Sequence, residues 1–240
     1  MRRVTILLLT CAVALLVPGI LVVNGIRLLA NDWYVEAVYD HGGIPDDPQG
    51  LTGAQRDDLA LTGLRSILPQ HDEGVGLLRE ARLPGGDPAF DARELRHMQD
   101  VRDILGGLYI GHLAALGAIA LLAFALARTG ARTLVPKGLR AGAILTLGIA
   151  AFVGVLLLID ADWFSTGFHT LFFEGESWRF DEADTLRRLY PERFWTITSA
   201  ILAAAAIVQA LVLLAVAHFW LRGRRPSLGA ELPSRARTGS

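Results

Sequence analysis

The chain has little cysteine and little net charge. Cys11 is the single cysteine among 240 residues, which excludes an intrachain disulfide framework and a zinc site built on cysteines. Cys11 lies inside an apolar run, so we interpret it as a small packing residue. The 23 Lys and Arg residues nearly balance the 24 Asp and Glu residues, and the net charge is −1. A chain without an excess of basic residues gives no support for nucleic-acid binding.

Two catalytic signatures are incomplete. Ser165 and Ser177 are candidate serine nucleophiles, but neither stands in the Gly-x-Ser-x-Gly turn of a hydrolase. Glu94 and His97 have the Glu-x-x-His spacing of iron- or manganese-binding bundles, and such a site needs a second copy of the motif. A zinc site made by His97, His169 and a carboxylate stays open as an alternative.

Apolar residues are abundant and clustered. They make up 52% of the chain, and the mean hydropathy is +0.39. Four apolar runs are each long enough for a helix that crosses a bilayer core of about 30 Å. We interpret the first as a retained helix rather than a signal peptide, because it is long and has no small-x-small cleavage site before Arg27. The runs cover residues 4–23, 105–127, 139–159 and 197–221.

The basic residues predict the orientation of these helices. Residues 128–140, between the second and third runs, contain four basic residues and no acid. The C-terminal tail has five arginines against one glutamate, and Arg2 and Arg3 precede the first run. Basic residues favour the cytoplasmic side, so both termini are predicted to be cytoplasmic. The two remaining segments are rich in acids and are predicted to lie outside.

The sequence therefore predicts an all-α membrane protein with four transmembrane helices and a small, mostly helical extracytoplasmic cap. Thr52 and Gln55 form a capping box at the start of a cap helix over residues 52–67. Asp91 to Val101 is predicted to be helical and to continue into the second transmembrane helix. Residues 77–83 fit a strand or a helix, and the Gly-, Pro- and Asp-rich stretch 41–50 fits a loop. The cap is too small for a large core of its own and should rest on the bundle.

This prediction divides the chain into six segments. They are transmembrane helix 1 (1–26), the extracytoplasmic cap (27–104), transmembrane helices 2 and 3 with a short cytoplasmic loop (105–160), a second extracytoplasmic segment (161–196), transmembrane helix 4 (197–221) and a basic cytoplasmic tail (222–240).

His97 and His169 are the strongest catalytic candidates. On a helix, Glu94 and Asp100 each lie three residues from His97, so either carboxylate can approach its ring. A carboxylate partner fixes the tautomer of an imidazole and raises its basicity, as a general base requires. His169 stands among apolar rings at the predicted outer surface. Each histidine has the alternative role of holding the cap by a buried hydrogen bond, and His112, inside the second run, fits a functional or a structural role.

Aromatic residues dominate the second outer segment. An interfacial belt is their ordinary explanation, but a belt does not explain why a histidine and several carboxylates share the same short stretch. We predict that five rings bind substrate: Tyr39, Trp163, Phe172, Phe173 and Trp178.

Two motifs resemble those of a known family, the lipoprotein intramolecular transacylases of bacteria. One is Glu94-x-x-His97-Met98-x-Asp100-Val101, ahead of a transmembrane helix. The other is Phe168-His169-x-x-Phe172-Phe173, followed by Trp178 and by Tyr190-Pro191-Glu192-x-Phe194-Trp195. The resemblance implies an acyltransferase that moves the sn-2 acyl chain of a diacylglyceryl lipoprotein to the α-amino group of its own N-terminal cysteine. It implies diacylglyceryl lipoproteins and membrane lipid as partners, and we predict no cofactor and no metal.

The resemblance also implies roles for the candidate residues. His97, oriented by Glu94 or Asp100, would deprotonate the α-ammonium group. His169 would stabilise the oxyanion or protonate the departing sn-2 oxygen, and the two roles are exchangeable. Phe172, Phe173 and Trp178 would line the acyl path.

Two other classes of protein compete with an enzyme. One is a non-catalytic accessory protein whose cap binds a partner or a lipid. The other is a small transporter, which would normally need polar or broken helices near the membrane midplane.

Overall fold

The computed structural model describes residues 2–173, 175 and 177–222. In this part of the chain the regular structure is helical, apart from one isolated β-bridge. The helices are α1 (Arg2–Leu29), α2 (Asp32–His41), α3 (Gly53–Ile67), α4 (Gly76–Glu80), α5 (Ala92–Arg128), α6 (Leu134–Ile159), α7 (Ala161–Phe172), α8 (Thr185–Leu189) and α9 (Glu192–Arg222).

Four of these helices, α1, α5, α6 and α9, are long and apolar enough to cross a membrane. Each contains one of the four apolar runs, so the prediction of four spans is confirmed. Helix α5 has 37 residues, which at about 1.5 Å per residue gives a length of about 55 Å. Because a bilayer core is only about 30 Å thick, the charged first turns of α5 extend beyond it. Asp91 to Val101 thus continue into the second membrane helix, as predicted.

Helix α1 occupies the centre of the bundle and packs against α5, α6 and α9. Small residues allow the close approach of α6, where Gly138 and Gly142 lie against Val13 and Val17 of α1. A Cβ atom added to Gly142 would stand 2.5 Å from the Val17 Cβ and 2.8 Å from the Ala14 carbonyl oxygen. Membrane helices associate through such contacts because lipid tails are as apolar as the helices themselves.

The cap is formed by α2, α3, α4, α8 and the first turns of α5. Its first apolar cluster includes Leu29 of α1, Leu105 of α5 and Phe194 of α9. The cap therefore rests on the bundle, as its small size predicts. Helix α3 begins with the expected capping box, in which the Thr52 hydroxyl accepts from the Gln55 N–H and the Gln55 side chain accepts from the Thr52 N–H.

Other parts of the cap differ from the sequence prediction. Helices α2, α7 and α8 are not among the predicted elements. Helix α8 has only five residues, too few turns for a clear helical period. For the aromatic residues of α7, the interpretation from sequence is an interfacial belt rather than one face of a helix. The loop predicted over 41–50 begins only after α2 ends at His41. The ambiguous stretch 77–83 contains the end of α4 and an isolated bridge from Arg82 to Pro88. Most of the predicted basic tail, residues 223–240, lies outside the described residues.

A buried ion pair fastens the loop before α3 to α8. The Nε and Nη2 atoms of Arg188 donate to the two carboxylate oxygens of Asp47 at 2.8 and 2.7 Å. The side chains are 4% and 0% exposed, respectively. Asp47 also accepts from the N–H groups of Gln49 and Leu51. The hydrogen bonds from Arg188 lower the pKa of Asp47 to about 2.

Candidate active site

The candidate site forms where the first turns of α5 meet α7 and the segment that follows α7. Asp91 caps the N-terminus of α5, and Asp160 caps the N-terminus of α7. These starting points fix the helical register, which places His97 near the beginning of α5 and His169 in the last turn of α7.

The two histidines come together around Phe173. The ring centroid of Phe173 is 4.8 Å from that of His97 and 5.9 Å from that of His169. Phe180 packs edge-on against His97 at 5.1 Å. Trp178 stacks on His169 with centroids 4.5 Å apart and an interplanar angle of 20°. We call these five residues the histidine pocket.

Two polar atoms of the histidine pocket are buried without a hydrogen-bond partner in the described part of the chain. They are Nδ1 of His97 and Nε1 of Trp178. An unsatisfied buried donor or acceptor costs about 1–3 kcal/mol, and such groups are uncommon in native interiors. The indole N–H and the imidazole nitrogen are therefore free to bind a polar group of a substrate.

The tautomer of His169 follows from its hydrogen bond to the backbone. Its Nδ1 lies 2.7 Å from the carbonyl oxygen of Ser165. Because a carbonyl oxygen only accepts, Nδ1 carries the proton and Nε2 of the neutral ring keeps its lone pair. The Ser165 hydroxyl is 3.5 Å from the same Nδ1, and a protonated nitrogen cannot take its proton. His169 therefore cannot act as the base for Ser165, which argues against Ser165 as a nucleophile.

The two carboxylates expected to orient His97 do not hydrogen-bond to it in the described residues. Glu94 is buried, and its oxygens accept from the N–H groups of Asp91 at 2.8 Å and Leu186 at 2.7 Å. Asp100 is exposed. The expected pairing of Glu94 with His97 is therefore wrong. Asp91-x-x-Glu94 is a capping box, which directs the Glu94 side chain back to the start of its own helix. The Asp-x-x-Glu spacing in the sequence is the signal that indicates this role.

The predicted substrate-binding rings divide between the pocket and the surface. Phe173 and Trp178 line the histidine pocket. Phe172 is 43% exposed and Trp163 is 65% exposed. Phe172 packs on Phe168 at 5.0 Å, and neither Phe172 nor Trp163 has a ring contact with a histidine within the described ranges.

Tyr39 belongs to the core of the cap and not to the histidine pocket. Its hydroxyl donates to the Leu189 carbonyl oxygen, and its ring packs on Phe194. Phe180 is the pocket residue that sequence reasoning did not select, although it stands among the aromatic residues of the second outer segment. Its ring also lies 5.3 Å from the Arg93 guanidinium.

The metal-site alternatives gain no support from the arrangement of side chains. Among the residues that the structure describes, no three His, Cys, Asp or Glu side chains converge. His97 and His169 are brought together, but Glu94, the carboxylate of the Glu-x-x-His motif, is held by backbone N–H groups.

The fold defines an integral membrane protein with four membrane helices and a helical cap. Its site, a histidine pair in an aromatic pocket, is suited to proton transfer.

The model of the family "Lipoprotein intramolecular transacylase Lit" matches residues 77–195, a range that contains the whole histidine pocket. An uncharacterised protein of Aquifex aeolicus (strain VF5) is 30% identical over 169 residues, which are 70% of this chain and 74% of that relative. The chain belongs to the lipoprotein intramolecular transacylase family, and it is a membrane acyltransferase.

The overall fold is that of a solved member of this family. The membrane-integral lipoprotein intramolecular transacylase of Bacillus cereus matches with a TM-score of 0.75 at 18% identity, covering 92% of this chain and 98% of that one. A histidine-to-alanine variant of the same protein matches with a TM-score of 0.74 at 17% identity, covering 93% and 97% of the two chains. The expected fold class, four membrane helices with a helical cap, is confirmed.

Proposed function

We propose that this protein transfers the sn-2 acyl chain of a diacylglyceryl lipoprotein to the α-amino group of the same lipoprotein's N-terminal cysteine, in the histidine pocket. Family membership supports the reaction. We assign it to this pocket because His97 and His169 both pack against Phe173 there. The amine nitrogen attacks the ester carbonyl carbon, a C–N bond forms, and the bond to the sn-2 oxygen breaks. The nitrogen loses a proton and the sn-2 oxygen gains one, so the reaction consumes no co-substrate.

His169 is the proposed base. Its Nδ1–H bond to the Ser165 carbonyl holds the ring and leaves the Nε2 lone pair available. The imidazolium formed by taking the amine proton can then protonate the departing sn-2 oxygen, which is ordinary general acid–base catalysis. The sequence motifs favour His97 as the base, whereas the hydrogen-bond geometry supports the exchanged roles, because neither Glu94 nor Asp100 hydrogen-bonds to His97.

Trp178 and His97 are the proposed donors to the oxyanion. The Nε1–H of Trp178 is a buried donor with no acceptor among the described side chains and backbone groups. Its stacking on His169 fixes the plane of the indole, and a preorganised donor stabilises developing charge without reorganisation. His97 is half-buried and has no acidic partner among the described residues, which favours its neutral form, and a neutral imidazole has one N–H to donate.

The location of the reaction follows from the same proposal. The substrate is anchored in the outer leaflet of the bacterial cytoplasmic membrane, and we place the histidine pocket at that surface with both termini in the cytoplasm. The basic loop 128–140 supports this orientation. The exposed rings of Trp163 and Phe172 suit the interface between head groups and hydrocarbon.

The experiment uses cells that lack other enzymes acylating lipoprotein N-termini. The chain is expressed with a reporter lipoprotein, and mass spectrometry reads the N-terminal lipopeptide. We expect one acyl chain on the cysteine nitrogen and one missing from the glycerol. His97→Ala and His169→Ala should abolish this product, and Trp178→Phe, which keeps an aromatic ring but removes the N–H, should slow its formation about a hundredfold.

Two controls make the result interpretable. His41→Ala removes an exposed histidine at the end of α2 and should leave the product unchanged. Every variant is checked for membrane expression and thermal unfolding. An unchanged diacylglyceryl peptide from well-expressed wild-type protein would reject the proposal and favour the accessory role. Normal transfer by the stable His169→Ala variant would reject His169 as the base.

A further inference from the structure

A second group of polar side chains lies between α1 and α5, away from the histidine pocket. The guanidinium carbon of Arg27, near the end of α1, is 3.9 Å from the centre of the Tyr109 ring of α5. His112, about one turn further along α5, is 7% exposed and interacts electrostatically with Arg27. At about 1.5 Å per residue, His112 is about 22 Å from His97 along α5. The two sites are therefore separate.

Three polar atoms of this group are buried and have no hydrogen-bond partner in residues 2–173, 175 and 177–222. They are Nε of Arg27 and both ring nitrogens of His112. In the same ranges, Arg27 forms no ion pair with a carboxylate. Arg27 is half-buried, with its Nε atom fully covered, and an unpaired cation at this position is costly in a membrane. A water molecule would satisfy a nitrogen of His112 but would not balance the charge of Arg27, so an anion suits this group better than water.

We propose that Arg27, Tyr109 and His112 bind the phosphate group of a glycerophospholipid from the membrane leaflet on the cap side. Arg27 stands one turn beyond the end of the first apolar run, at the depth where head groups lie. Arginine is the residue best suited to phosphate, because its planar donors match the phosphate oxygens. His112 supplies a further donor, and Tyr109 holds the guanidinium by its ring face.

The surroundings of the site select an amphiphilic anion. Ile110 and Leu113 flank the site on α5 and are 72% and 63% exposed, and Leu28 on α1 is 53% exposed. These apolar surfaces suit the acyl chains of a lipid. A diacylglyceryl lipoprotein has two ester groups and no phosphate on its glycerol, so this site takes a second lipid and not the acyl donor. The bound lipid would join α1 to the helix that carries His97.

The test measures lipid binding to the purified full chain in detergent. Native mass spectrometry and thermal unfolding are recorded with phosphatidylglycerol, with diacylglycerol of the same acyl chains, and with inorganic phosphate. We expect wild-type protein to retain one phosphatidylglycerol and to be stabilised by it more than by either other probe. Arg27→Gln and His112→Gln should each weaken phosphatidylglycerol binding about tenfold or more, which is the scale of one lost charge-assisted bond.

Matched variants and probes decide the outcome. Arg187→Gln removes an exposed arginine of α8 and should bind phosphatidylglycerol as wild-type protein does. If Arg27→Gln does not fold, Arg27→Lys keeps the charge without the planar fork and should still lose affinity. Wild-type affinity in Arg27→Gln or, failing that, in Arg27→Lys would overturn the proposal, as would equal stabilisation by diacylglycerol or by inorganic phosphate. Lipid binding is measured without acyl transfer, so the two proposals can fail independently.

Discussion

Replacing Asp47 by asparagine tests whether the buried ion pair holds α8 in the cap. The change preserves the shape of the side chain but removes the counter-charge of Arg188, which is 4% exposed. Breaking a buried pair by removing one partner costs about 3–5 kcal/mol. The decrease of the Asp47 pKa from 3.8 to about 2 corresponds to about 2 kcal/mol at about 1.36 kcal/mol per pH unit. We therefore expect the cap to lose about 2–5 kcal/mol.

The assay is native-state hydrogen exchange on the purified protein in detergent. The amide of Arg188 donates to Asp184 and that of Tyr190 to Leu186, so both amides report on opening of α8. Both should exchange faster in Asp47→Asn, while amides in the middle of α6 stay protected. The folded-state pKa lies below the unfolded-state value, so this stabilisation is complete above about pH 4 and disappears as the pH falls towards 2. Asp47→Asn should lack that pH dependence.

Two further variants decide whether this reasoning is correct. Asp46→Asn changes an exposed neighbour in the same loop and should have little effect. The double variant Asp47→Asn with Arg188→Met removes both charges and should be less destabilised than Asp47→Asn alone. A loss below about 1 kcal/mol in Asp47→Asn, or strictly additive effects in the double variant, would refute the role given to the ion pair.

Three more predictions follow from the site and the bundle. Glu94→Gln leaves one oxygen for the two backbone N–H groups that Glu94 now binds, and should lower stability by about 1.5–3 kcal/mol. Acyl transfer should persist in the folded fraction, and its loss from stable protein would contradict a purely structural Glu94. Gly142→Ala should lower the unfolding temperature in detergent, because the new Cβ would stand 2.5 Å from the Val17 Cβ. Gly148→Ala is the control, because a Cβ there would meet open space. An equal decrease of the unfolding temperature in both variants would refute the packing argument. Ser165→Ala keeps the carbonyl that binds His169, so the lipopeptide assay should find transfer unchanged, and its loss would restore the serine-nucleophile hypothesis.

The membrane architecture was determined by the sequence itself. In lipid, the backbone of a run of about 20 apolar residues can satisfy its hydrogen bonds only by forming a helix. Length and composition are therefore enough to identify a membrane span. The Thr52 capping box is equally local, because both of its partners lie within four residues. His97 and His169 could also be selected from the sequence, since His97 has a carboxylate three residues to either side and His169 stands within an aromatic segment at a predicted membrane boundary.

The partners of the polar side chains were decided only by the tertiary structure. Glu94 can reach either an imidazole one turn ahead or the N–H groups behind it, and the Leu186 N–H that settles the competition belongs to a distant helix. Tyr39 similarly finds its acceptor at Leu189. The bond from His169 to the Ser165 carbonyl is local, but it forms only because the backbone of α7 is helical there. A span depends on local composition, whereas the direction of a side chain depends also on which backbone group reaches it, and for Glu94 and Tyr39 that group lies far away in the sequence.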